Sequence, residues 1–475
     1  MFGARTRGIE GEIIQLHTQV SEETPTPLHV LFRPPPREQG FRCRSAFIES
    51  ELSWPATVTM TLDPPGSEPS DLAVALSVVE AQKKADWRIL AIGELGLDGS
   101  VRPVRGVLPM VEAAKKAGIK TVLIPRESAA EADLVDGIVV HPVTSLKEAL
   151  SYMKEEILGE TRRNPPLERK NPYLDMSDIH GQEKAKRALE IAAAGNFNLL
   201  LKGPPGAGKT MLARRLETIL PDLSPEEIRE TTRVYSVAGL LPANAIVKRP
   251  FRAPHHTISD IGLIGGGVPP RPGEASLAHN GILFLDELPE FRRQVLVCLR
   301  DAVQEGSTRV VRKNETYKFP ARFQLVGSTN NCACGYDGST KRKCQCKDGQ
   351  KERYLARIPV SYFDLQVSVQ DYPYSEIKEL PPGESSKVIR ERVIAARERA
   401  AKRKEKGKGI AYSTGALALL SKWGDAPSTD PEPFSPKARR RVLVAQVIAD
   451  LAGCKEVSEE HLLEAESLSD SEINR

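Results

Sequence analysis

A glycine-rich segment that ends in lysine and threonine carries the strongest chemical signal in this sequence. Residues 203–210 read Gly-Pro-Pro-Gly-Ala-Gly-Lys-Thr, which fits the spacing G-x-x-x-x-G-K-[ST]. In such a loop backbone N–H groups curl around phosphates, the lysine supplies positive charge to the β and γ phosphates, and the threonine hydroxyl ligates Mg²⁺. A plain glycine-rich turn is the alternative. The pattern predicts a site for ATP and Mg²⁺ formed by Gly203, Pro204, Pro205, Gly206, Ala207, Gly208, Lys209 and Thr210.

Two later apolar runs end in polar residues that suit ATP hydrolysis. Residues 281–287 end in Asp286 and Glu287, and residues 323–330 end in Asn330. Asp286 is placed to hold Mg²⁺ and Glu287 to polarise the attacking water, as in P-loop ATPases. Asn330 would contact the γ-phosphate or position that water. Each could alone be a surface turn residue, but their order after the loop is that of an AAA+ core and predicts Glu287 and Asn330 as catalytic residues.

Four of the seven cysteines lie within fifteen residues, directly after the second polar strand end. Their spacing is C-x-C, nine residues, C-x-C. Four thiolates on two tight turns can close a tetrahedron around Zn²⁺ with bonds of about 2.3 Å, and such a site has no open position for catalysis. Free thiols and a disulfide are the alternatives. The spacing predicts a structural zinc site of Cys332, Cys334, Cys344 and Cys346, and the isolated cysteines are expected to be small buried residues: Cys43, Cys298 and Cys454.

The composition limits the class of protein. The chain has 475 residues, of which 40% are hydrophobic and 27% charged, which excludes wholesale disorder and a collagen-like fibre. No run approaches the roughly 18 apolar residues of a membrane helix, and the first residues lack the apolar run of a signal peptide. We therefore expect a cytoplasmic protein with no membrane partner. The net charge of +4 is too small to indicate nucleic-acid binding by itself.

The elements that must position these residues fall into three predicted domains. Residues 1–158 alternate β-rich runs with helical patterns and predict a compact α/β domain. Residues 159–172 are polar, charged and interrupted by three prolines, which predicts a linker. Residues 173–372, with the cysteine insertion 332–346, place strand, loop and helix in the order of an α/β nucleotide-binding fold. Residues 373–475 predict an all-helical domain.

Several longer motifs resemble the ComM/YifB family of magnesium-chelatase-like AAA+ ATPases over essentially the whole chain. They are residues 93–109, 249–256 with the sequence Arg-Pro-Phe-Arg-Ala-Pro-His-His, 271–288 and 319–325. The resemblance implies a P-loop AAA+ core, a Lon-protease-like (ribosomal-S5-like) α/β N-terminal domain and a helical C-terminal lid. It also implies a homo-hexameric ring motor that acts on branched DNA, as the ComM helicase does in branch migration during natural transformation.

The first domain resembles the proteolytic domain of Lon proteases at residues 69–72 and 93–125. Lon chemistry needs a serine that a lysine base makes nucleophilic. Ser70 lies near the nucleophile position, but Leu108 stands where the lysine belongs. We therefore expect no protease activity, and a domain that can dock a protein partner.

Two residues depart from the pattern of related ring ATPases. Tyr362 stands where an arginine finger is expected, and such a finger is worth about 10³–10⁵ in rate. Arg353 and Arg357 are candidate substitutes. Lys437 stands at the nucleotide-sensing arginine of the lid, where it keeps the charge but loses the bidentate fork. These departures predict secure ATP binding and leave the hydrolysis rate open.

Residues 307–320 alternate like a β-hairpin whose turn is flanked by Arg312 and Lys313. In ring helicases such a hairpin projects into the pore, so these two residues are the predicted contacts to branched or single-stranded DNA. A solvated hairpin is the alternative. A basic run at 387–408 is interpreted as a solvated helix face, and His255 and His256 as loop residues. Two other functions stay open: a chelatase-like or chaperone-like protein-remodelling ATPase, and an ATP-gated scaffold with weak hydrolysis.

Overall fold

The computed structural model describes residues 1–21, 37–154, 174–241, 245–312, 315–340, 342–377, 379–407, 409–423 and 436–469. The predicted linker and Lys313 lie outside these residues, as does the side chain of Lys437. Three regions of secondary structure follow one another along the described chain: an N-terminal α/β domain, a central α/β domain and a C-terminal helical domain. This order agrees with the order that the sequence predicts.

The N-terminal domain is built on a six-stranded sheet with strand order β3-β2-β1-β4-β7-β8. Its elements are β1 Phe2–Arg7, β2 Glu10–Ser21, α1 Arg37–Glu49, β3 Thr57–Asp63, α2 Asp71–Lys83, β4 Ile89–Ala91, β5 Glu94–Leu95, β6 Val101–Arg102, α3 Val107–Lys116, β7 Thr121–Pro125, α4 Ala129–Ala132, β8 Val139–Val143 and α5 Leu146–Lys154. The first three strands pair antiparallel and the others parallel. Nine consecutive residues at the start of α2 are buried, so this helix forms the centre of the domain core.

The central domain is built on a five-stranded sheet, all parallel, with strand order β10-β13-β16-β9-β17. Its elements are α6 Glu183–Gly195, β9 Leu199–Lys202, α7 Lys209–Ile219, α8 Pro225–Ala238, β10 Phe251–Arg252, α9 Asp260–Ile264, β11 Gly265–Gly266, β12 Arg271–Pro272, α10 Glu274–Leu277, β13 Ile282–Leu285, α11 Arg293–Glu305, β14 Ser307–Arg312, β15 Glu315–Pro320, β16 Gln324–Thr329, α12 Asp348–Leu355 and β17 Leu365–Ser368. Every residue of β9, β13 and β16 is buried. Helices cover both faces of such a sheet, which is why these strands read as continuous apolar runs.

The C-terminal domain packs on the central domain through one continuous apolar core. Its helices are α13 Tyr374–Ile377, α14 Ser386–Glu405, α15 Thr414–Lys422, α16 Pro436–Ala452 and α17 Glu459–Ser469. Val393 of α14 and Ile448 of α16 lie in the same buried cluster as Leu212 of α7, the helix that follows the glycine-rich loop. A movement of this domain therefore acts directly on that helix. No described helix combines the length and the apolar character that crossing a bilayer requires.

The interpretation of the basic run at 387–408 as a solvated face is wrong for its arginines. The Arg392 guanidinium pairs with Glu190 and Glu384, and Arg403 pairs with the buried Asp450. Arg397 donates to the carbonyl oxygen of Ala193 at 2.6 Å. These arginines hold α14 against the central domain and α16.

The N-terminal domain contacts the central domain along α8 and the β14–β15 hairpin. The Arg233 guanidinium of α8 pairs with Glu112 of α3. The turn between β1 and β2 passes so close to β15 that a Cβ at Gly8 would lie 2.7 Å from the carbonyl oxygen of Lys318. Ile9 in this turn packs on the apolar cluster of Val237, Val310 and Phe319. One face of the hairpin is therefore covered by the N-terminal domain.

Candidate active site

The glycine-rich loop connects the buried strand β9 to the start of helix α7, as predicted. Gly206 and Gly208 have φ angles of 82° and 94°, which side chains other than glycine rarely adopt. At Gly203 a Cβ would lie 2.5 Å from the carbonyl oxygen of Val369, just after β17. Glycine is therefore required both by the turn of the loop and by the neighbouring chain.

Lys209 is the first residue of α7 and brings two predicted parts of the site together. Its side chain is buried, and its Nζ donates to the carbonyl oxygens of Gly203 at 2.7 Å and Pro204 at 2.9 Å. The same Nζ donates to Asn330 Oδ1 at 3.1 Å. Burial lowers the pKa of Lys209, and the carboxylates of Asp286 and Glu287 oppose this shift. Lys209 thus meets Asn330, the predicted γ-phosphate contact that we call the sensor residue, at the mouth of the loop.

The two residues predicted to hold magnesium are also in contact. Thr210 Oγ1 donates to Asp286 Oδ2 at 2.9 Å, and Ser328 of β16 donates a hydrogen bond to the other carboxylate oxygen of Asp286. Thr210 is exposed, so these oxygens face solvent. Hydroxyl and carboxylate oxygens are the hard donors that Mg²⁺ prefers, and they fit this ion when it arrives with nucleotide phosphates. Ser328 was missed by sequence reasoning, although it precedes Asn330 by two residues.

Glu287 projects into solvent from a backbone that its neighbours hold in place. Its φ angle is 54°, in the left-handed region, and 53% of its side chain is exposed. Its N–H donates to Ser328 Oγ at 3.1 Å and to Asp286 Oδ1 at 3.2 Å. Non-glycine residues in this region occur at sites where surrounding contacts enforce them. A carboxylate presented in this way can accept a proton from a water beside the nucleotide.

A cavity of about 250 Å³ lies beside these carboxylates. It is lined by Thr210, Arg214, Phe251, Ala253, Pro254, His255, His256, Phe284, Asp286 and Glu287. His256 Nδ1 lies 4.0 Å from Glu287 Oε2, and the rings of His255 and His256 stack at 4.0 Å between centroids. The two histidines are loop residues, as predicted, but their position beside Glu287 was not. The sequence signal was available in the motif at 249–256, which ends in them.

Tyr362 is turned toward the interior of its own subunit. Its hydroxyl donates to the carbonyl oxygen of Leu296 in α11 at 2.9 Å, and burial raises the pKa of this phenol. Arg353 and Arg357 are exposed on α12 and just after it. The neighbouring Asp364 lies 3.2 Å from Arg440 Nε of the C-terminal domain. The side chain of Lys437 lies outside the described part of the chain, so its predicted contact with nucleotide stays a prediction.

The four clustered cysteines converge after Asn330. The Sγ atom of Cys332 lies 3.4 Å from the Sγ atom of Cys334 and 3.6 Å from that of Cys344. The Sγ atoms of Cys334 and Cys344 lie 3.7 Å apart. With Cys346 included, all four sulfur atoms lie within 4.8 Å of one another. Tetrahedral zinc with 2.3 Å bonds requires sulfur separations of about 3.8 Å, so the sulfur positions fit this ion. Backbone N–H groups of Tyr336 and Gln345 lower the pKa of Cys334, whereas the neighbouring cysteines raise the pKa of Cys344 and of Cys346.

The isolated cysteines differ from the prediction that they are buried. Cys43 is buried, but Cys298 is half-buried and Cys454 is exposed. Cys454 follows Gly453 at the end of α16, where the chain turns outward after the last helical residue. A small apolar side chain is tolerated there without a core around it.

In the described residues of the N-terminal domain, Ser70 and Leu108 have partners other than a serine–lysine pair of the Lon type. Ser70 Oγ donates to the carbonyl oxygen of Ala91 at 3.1 Å. Leu108 is buried in α3, and its N–H donates to Glu131 at 2.6 Å. A cavity of about 680 Å³ beside Ser70 is lined in the described residues by arginine, carboxylate and apolar side chains, and lysine is absent from that lining.

The predicted DNA hairpin is present as strands β14 and β15. Arg312 pairs in register with Glu315 and is exposed at the end of β14. Lys313 is a predicted contact outside the described residues. Arg309, three residues earlier on the same strand, is exposed and pairs with Glu305 at 2.6 Å.

The fold and site define a class of protein. A five-stranded parallel sheet carries the glycine-rich loop, and the acidic and polar ends of two further strands meet Thr210 and Lys209. This is the core of a P-loop ATPase of the AAA+ type, followed by a helical domain.

Comparison with known proteins narrows this class. Residues 175–377 match the family model for magnesium chelatase, subunit ChlI, and residues 24–128 match that for subunit ChlI of Mg-chelatase. An uncharacterized protein of Mycobacterium tuberculosis is 39% identical over 420 residues, which cover 85% of this chain and 82% of that protein. YifB of Escherichia coli is 36% identical over 468 residues, which cover 91% of this chain and 88% of YifB. The competence protein ComM of Haemophilus influenzae is 36% identical over 500 residues, which cover 98% of this chain and 96% of ComM. The chain therefore belongs to the ComM/YifB family of magnesium-chelatase-like AAA+ proteins.

Proposed function

We propose that this protein binds and hydrolyses ATP with Mg²⁺ and uses the cycle to remodel branched DNA. The observation that carries the ATPase assignment is the contact of Lys209 with Asn330 and of Thr210 with Asp286, which joins three strand ends into one site. In this proposal Lys209 holds the β and γ phosphates, and Thr210 and Asp286 hold Mg²⁺. Glu287 accepts the proton of the attacking water while Asn330 positions it.

The DNA assignment rests on relatedness and on the hairpin. One relative, which covers 98% of this chain, is named a competence protein. Arg312 stands exposed at the end of β14, and Lys313 is the next residue in the sequence. We place branched or single-stranded DNA against these two side chains, in the pore of a cytoplasmic homo-hexamer.

Turnover of ATP with and without a synthetic four-way junction tests this function. We expect the motor to hydrolyse ATP faster with the junction, and we expect sedimentation with nucleotide to show a hexamer. If the junction has no effect and a folded or unfolded protein stimulates turnover, the activity is protein remodelling of the chelatase or chaperone kind.

A second function is favoured by Tyr362. Because its hydroxyl is bonded to Leu296, the side chain does not extend toward a neighbouring subunit, and a ring without an arginine finger would bind ATP and hydrolyse it slowly. In this case the protein is a nucleotide-gated scaffold. The replacement Arg357→Ala distinguishes the two: a motor with its finger at Arg357 loses most of its turnover, whereas Tyr362→Phe leaves turnover unchanged.

Two further assignments accompany this function. The cysteine cluster holds one structural Zn²⁺ per chain, for which the sulfur separations are the support. The N-terminal domain is inert as a protease and acts as a docking domain. Its contacts with α8 and the hairpin are consistent with a role in holding the motor or a protein partner.

A further inference from the structure

The four cysteines belong to a small loop that lies directly on the phosphate-binding loop. We name residues 331–346 the cysteine knuckle. Gly335 in the knuckle has a φ angle of 81°, and a Cβ on it would lie 2.9 Å from Pro205 Cγ and 3.1 Å from Pro205 Cδ. Pro205 is the third residue of the glycine-rich loop. The knuckle backbone therefore packs against the phosphate-binding loop with no room for a side chain between them.

The knuckle also continues the strand that presents the sensor residue. Asn330 is followed directly by Asn331 and Cys332, and Cys332 is buried. Asn330 Oδ1 accepts the hydrogen bond of Lys209 at 3.1 Å. Only Asn331 separates Asn330 from Cys332, the first cysteine of the cluster, so a shift of Cys332 displaces Asn330 as well.

The far side of the knuckle is tied to the end of the sheet. Ser339 Oγ donates to Asp371 at 3.0 Å, shortly after β17. Inside the knuckle, Asn331 Nδ2 donates to the carbonyl oxygen of Asp337 at 3.0 Å. From α12, Lys351 Nζ pairs with the carboxylate of Asp337 at 3.0 Å. The knuckle thus spans from the sensor strand β16 to the segment after β17 and closes one side of the phosphate-binding loop.

The two ends of the knuckle, Cys332–Cys334 and Cys344–Cys346, meet at the sulfur cluster. Apart from Cys332 its residues are mostly polar and exposed or half-buried, so apolar burial contributes little to its shape. Four sulfur atoms within 4.8 Å of one another can be bridged by one metal ion, and such a bridge would tie the two ends of the knuckle together. Removing the metal would therefore open the knuckle and withdraw Gly335 from Pro205.

We propose that metal in the cysteine knuckle positions Pro205 and Asn330, so that ATP binding depends on an occupied cysteine site. The inference rests on the proposed zinc site and adds a coupling between two sites of the same chain. Coupling between binding sites is reciprocal, so bound nucleotide also raises the affinity of the cysteine site for its metal. Cys332 and Gly335 are positioning residues, because they act on the nucleotide through Asn330 and Pro205.

Metal depletion gives the first test. The full chain is depleted with a chelator under reducing conditions, and the Kd for a non-hydrolysable ATP analogue with Mg²⁺ is measured by calorimetry before and after. We expect about tenfold weaker binding after depletion, since small displacements of positioning groups have effects of up to about 100-fold. One equivalent of Zn²⁺ restores the affinity. An unchanged Kd in depleted protein overturns the coupling.

The same experiment separates the coupling from the proposals on which it rests. Purified protein without any bound metal would refute the zinc site itself. Metal-loaded protein that does not bind the analogue would refute the ATP site. Equilibrium competition for Zn²⁺ between the protein and a colorimetric chelator, with and without the analogue, supplies a readout that needs no hydrolysis. We expect tighter Zn²⁺ binding with the analogue, and equal Zn²⁺ affinities contradict the coupling.

Two glycines provide a matched pair of variants. Gly335 and Gly338 have similar left-handed φ angles of 81° and 76°, so alanine introduces similar backbone strain at both. A Cβ at Gly338 meets Asn331 Nδ2 at 3.3 Å rather than the phosphate-binding loop. We expect equal zinc content in both variants, about tenfold weaker analogue binding in Gly335→Ala, and less than about twofold change in Gly338→Ala. Equal losses in both variants overturn the inference, and if Gly335→Ala does not fold, the depletion experiment decides alone.

Discussion

Two regions of this chain resemble enzymes, and they differ in whether their side chains converge. In the central domain a hydroxyl at the start of α7, Thr210, meets the carboxylate of Asp286 at 2.9 Å. In the N-terminal domain a hydroxyl just before α2, Ser70, meets the backbone carbonyl of Ala91. Leu108 is buried at the position where a lysine base would be needed.

The difference teaches that chemistry follows convergent side chains rather than the fold that carries them. The N-terminal domain retains a buried core, and two of its carboxylates serve the contact with the central domain. Glu112 pairs with Arg233 of α8, and burial raises the pKa of Glu131, which accepts hydrogen bonds from Leu108 and Ser236. In the central domain Asp286 and Glu287 line a cavity of about 250 Å³ instead.

The largest expected effect comes from removing the phosphate-binding lysine. Lys209→Ala removes the buried ammonium that donates to the loop and to Asn330, so we expect it to abolish ATP binding. Calorimetry with ATP and Mg²⁺ measures this loss. Lys184→Ala, an exposed lysine on α6, is the control and should bind as the parent does. Retained binding in Lys209→Ala would break the comparison, because convergence would then not define the site.

Loss of two thiolate ligands should have the next largest effect. The double variant Cys344→Ser with Cys346→Ser should lose near-stoichiometric zinc, because two remaining thiolates cannot complete a tetrahedron. Elemental analysis of protein purified without chelator measures the metal, and thermal unfolding should show a lower Tm, since metal binding contributes to folding. Cys454→Ser, at an exposed cysteine outside the cluster, should leave zinc unchanged. A parent without zinc contradicts the assignment.

A smaller effect is expected at the hairpin. Arg312→Ala should weaken DNA binding a few-fold across all sequences and reduce the slope of log affinity against log salt by about 0.7–0.9, because one phosphate contact is lost. Fluorescence anisotropy at several salt concentrations measures both quantities. Arg309→Ala on the same strand is the matched control, since Arg309 already pairs with Glu305. Equal salt slopes for parent and Arg312→Ala would place the DNA elsewhere.

The smallest effect is expected for a substitution in the N-terminal domain, the other region of the comparison. Ser70→Ala should change neither ATP turnover nor the fate of an unfolded protein substrate, because the hydroxyl has a carbonyl partner and the base position is leucine. Incubation with casein, followed by gel electrophoresis, checks this. If the parent cleaves casein and the variant does not, the N-terminal domain has a base that its resemblance to Lon does not identify.

The sequence predicted the main elements and the members of the site, because both leave local signals. Buried parallel strands read as apolar runs, so residues 282–285 and 324–329 were found, and the glycines at 203–208 marked the loop between β9 and α7. The cysteine spacing likewise predicted a cluster that the structure forms.

The contacts between distant elements could not be predicted in the same way. Strand order decides that β16 lies beside both β13 and β9, and this places Ser328 on Asp286 and Asn330 on Lys209. Tyr362 turns inward because Leu296 offers a carbonyl acceptor, which no local pattern reveals. The paired arginines of α14 show the same limit, since their partners lie in other helices.

The most direct test of the central claim is ATP turnover by the parent and by Glu287→Gln, each with and without a four-way junction. Glu287→Gln keeps the loop and Asp286 but cannot accept a proton, and general-base catalysis contributes typically 10²–10⁴-fold. We predict that the junction stimulates the parent and that Glu287→Gln binds ATP with unchanged Kd while its turnover falls by at least about 100-fold. A variant that fails to bind ATP, or one that hydrolyses it as fast as the parent, would contradict the account.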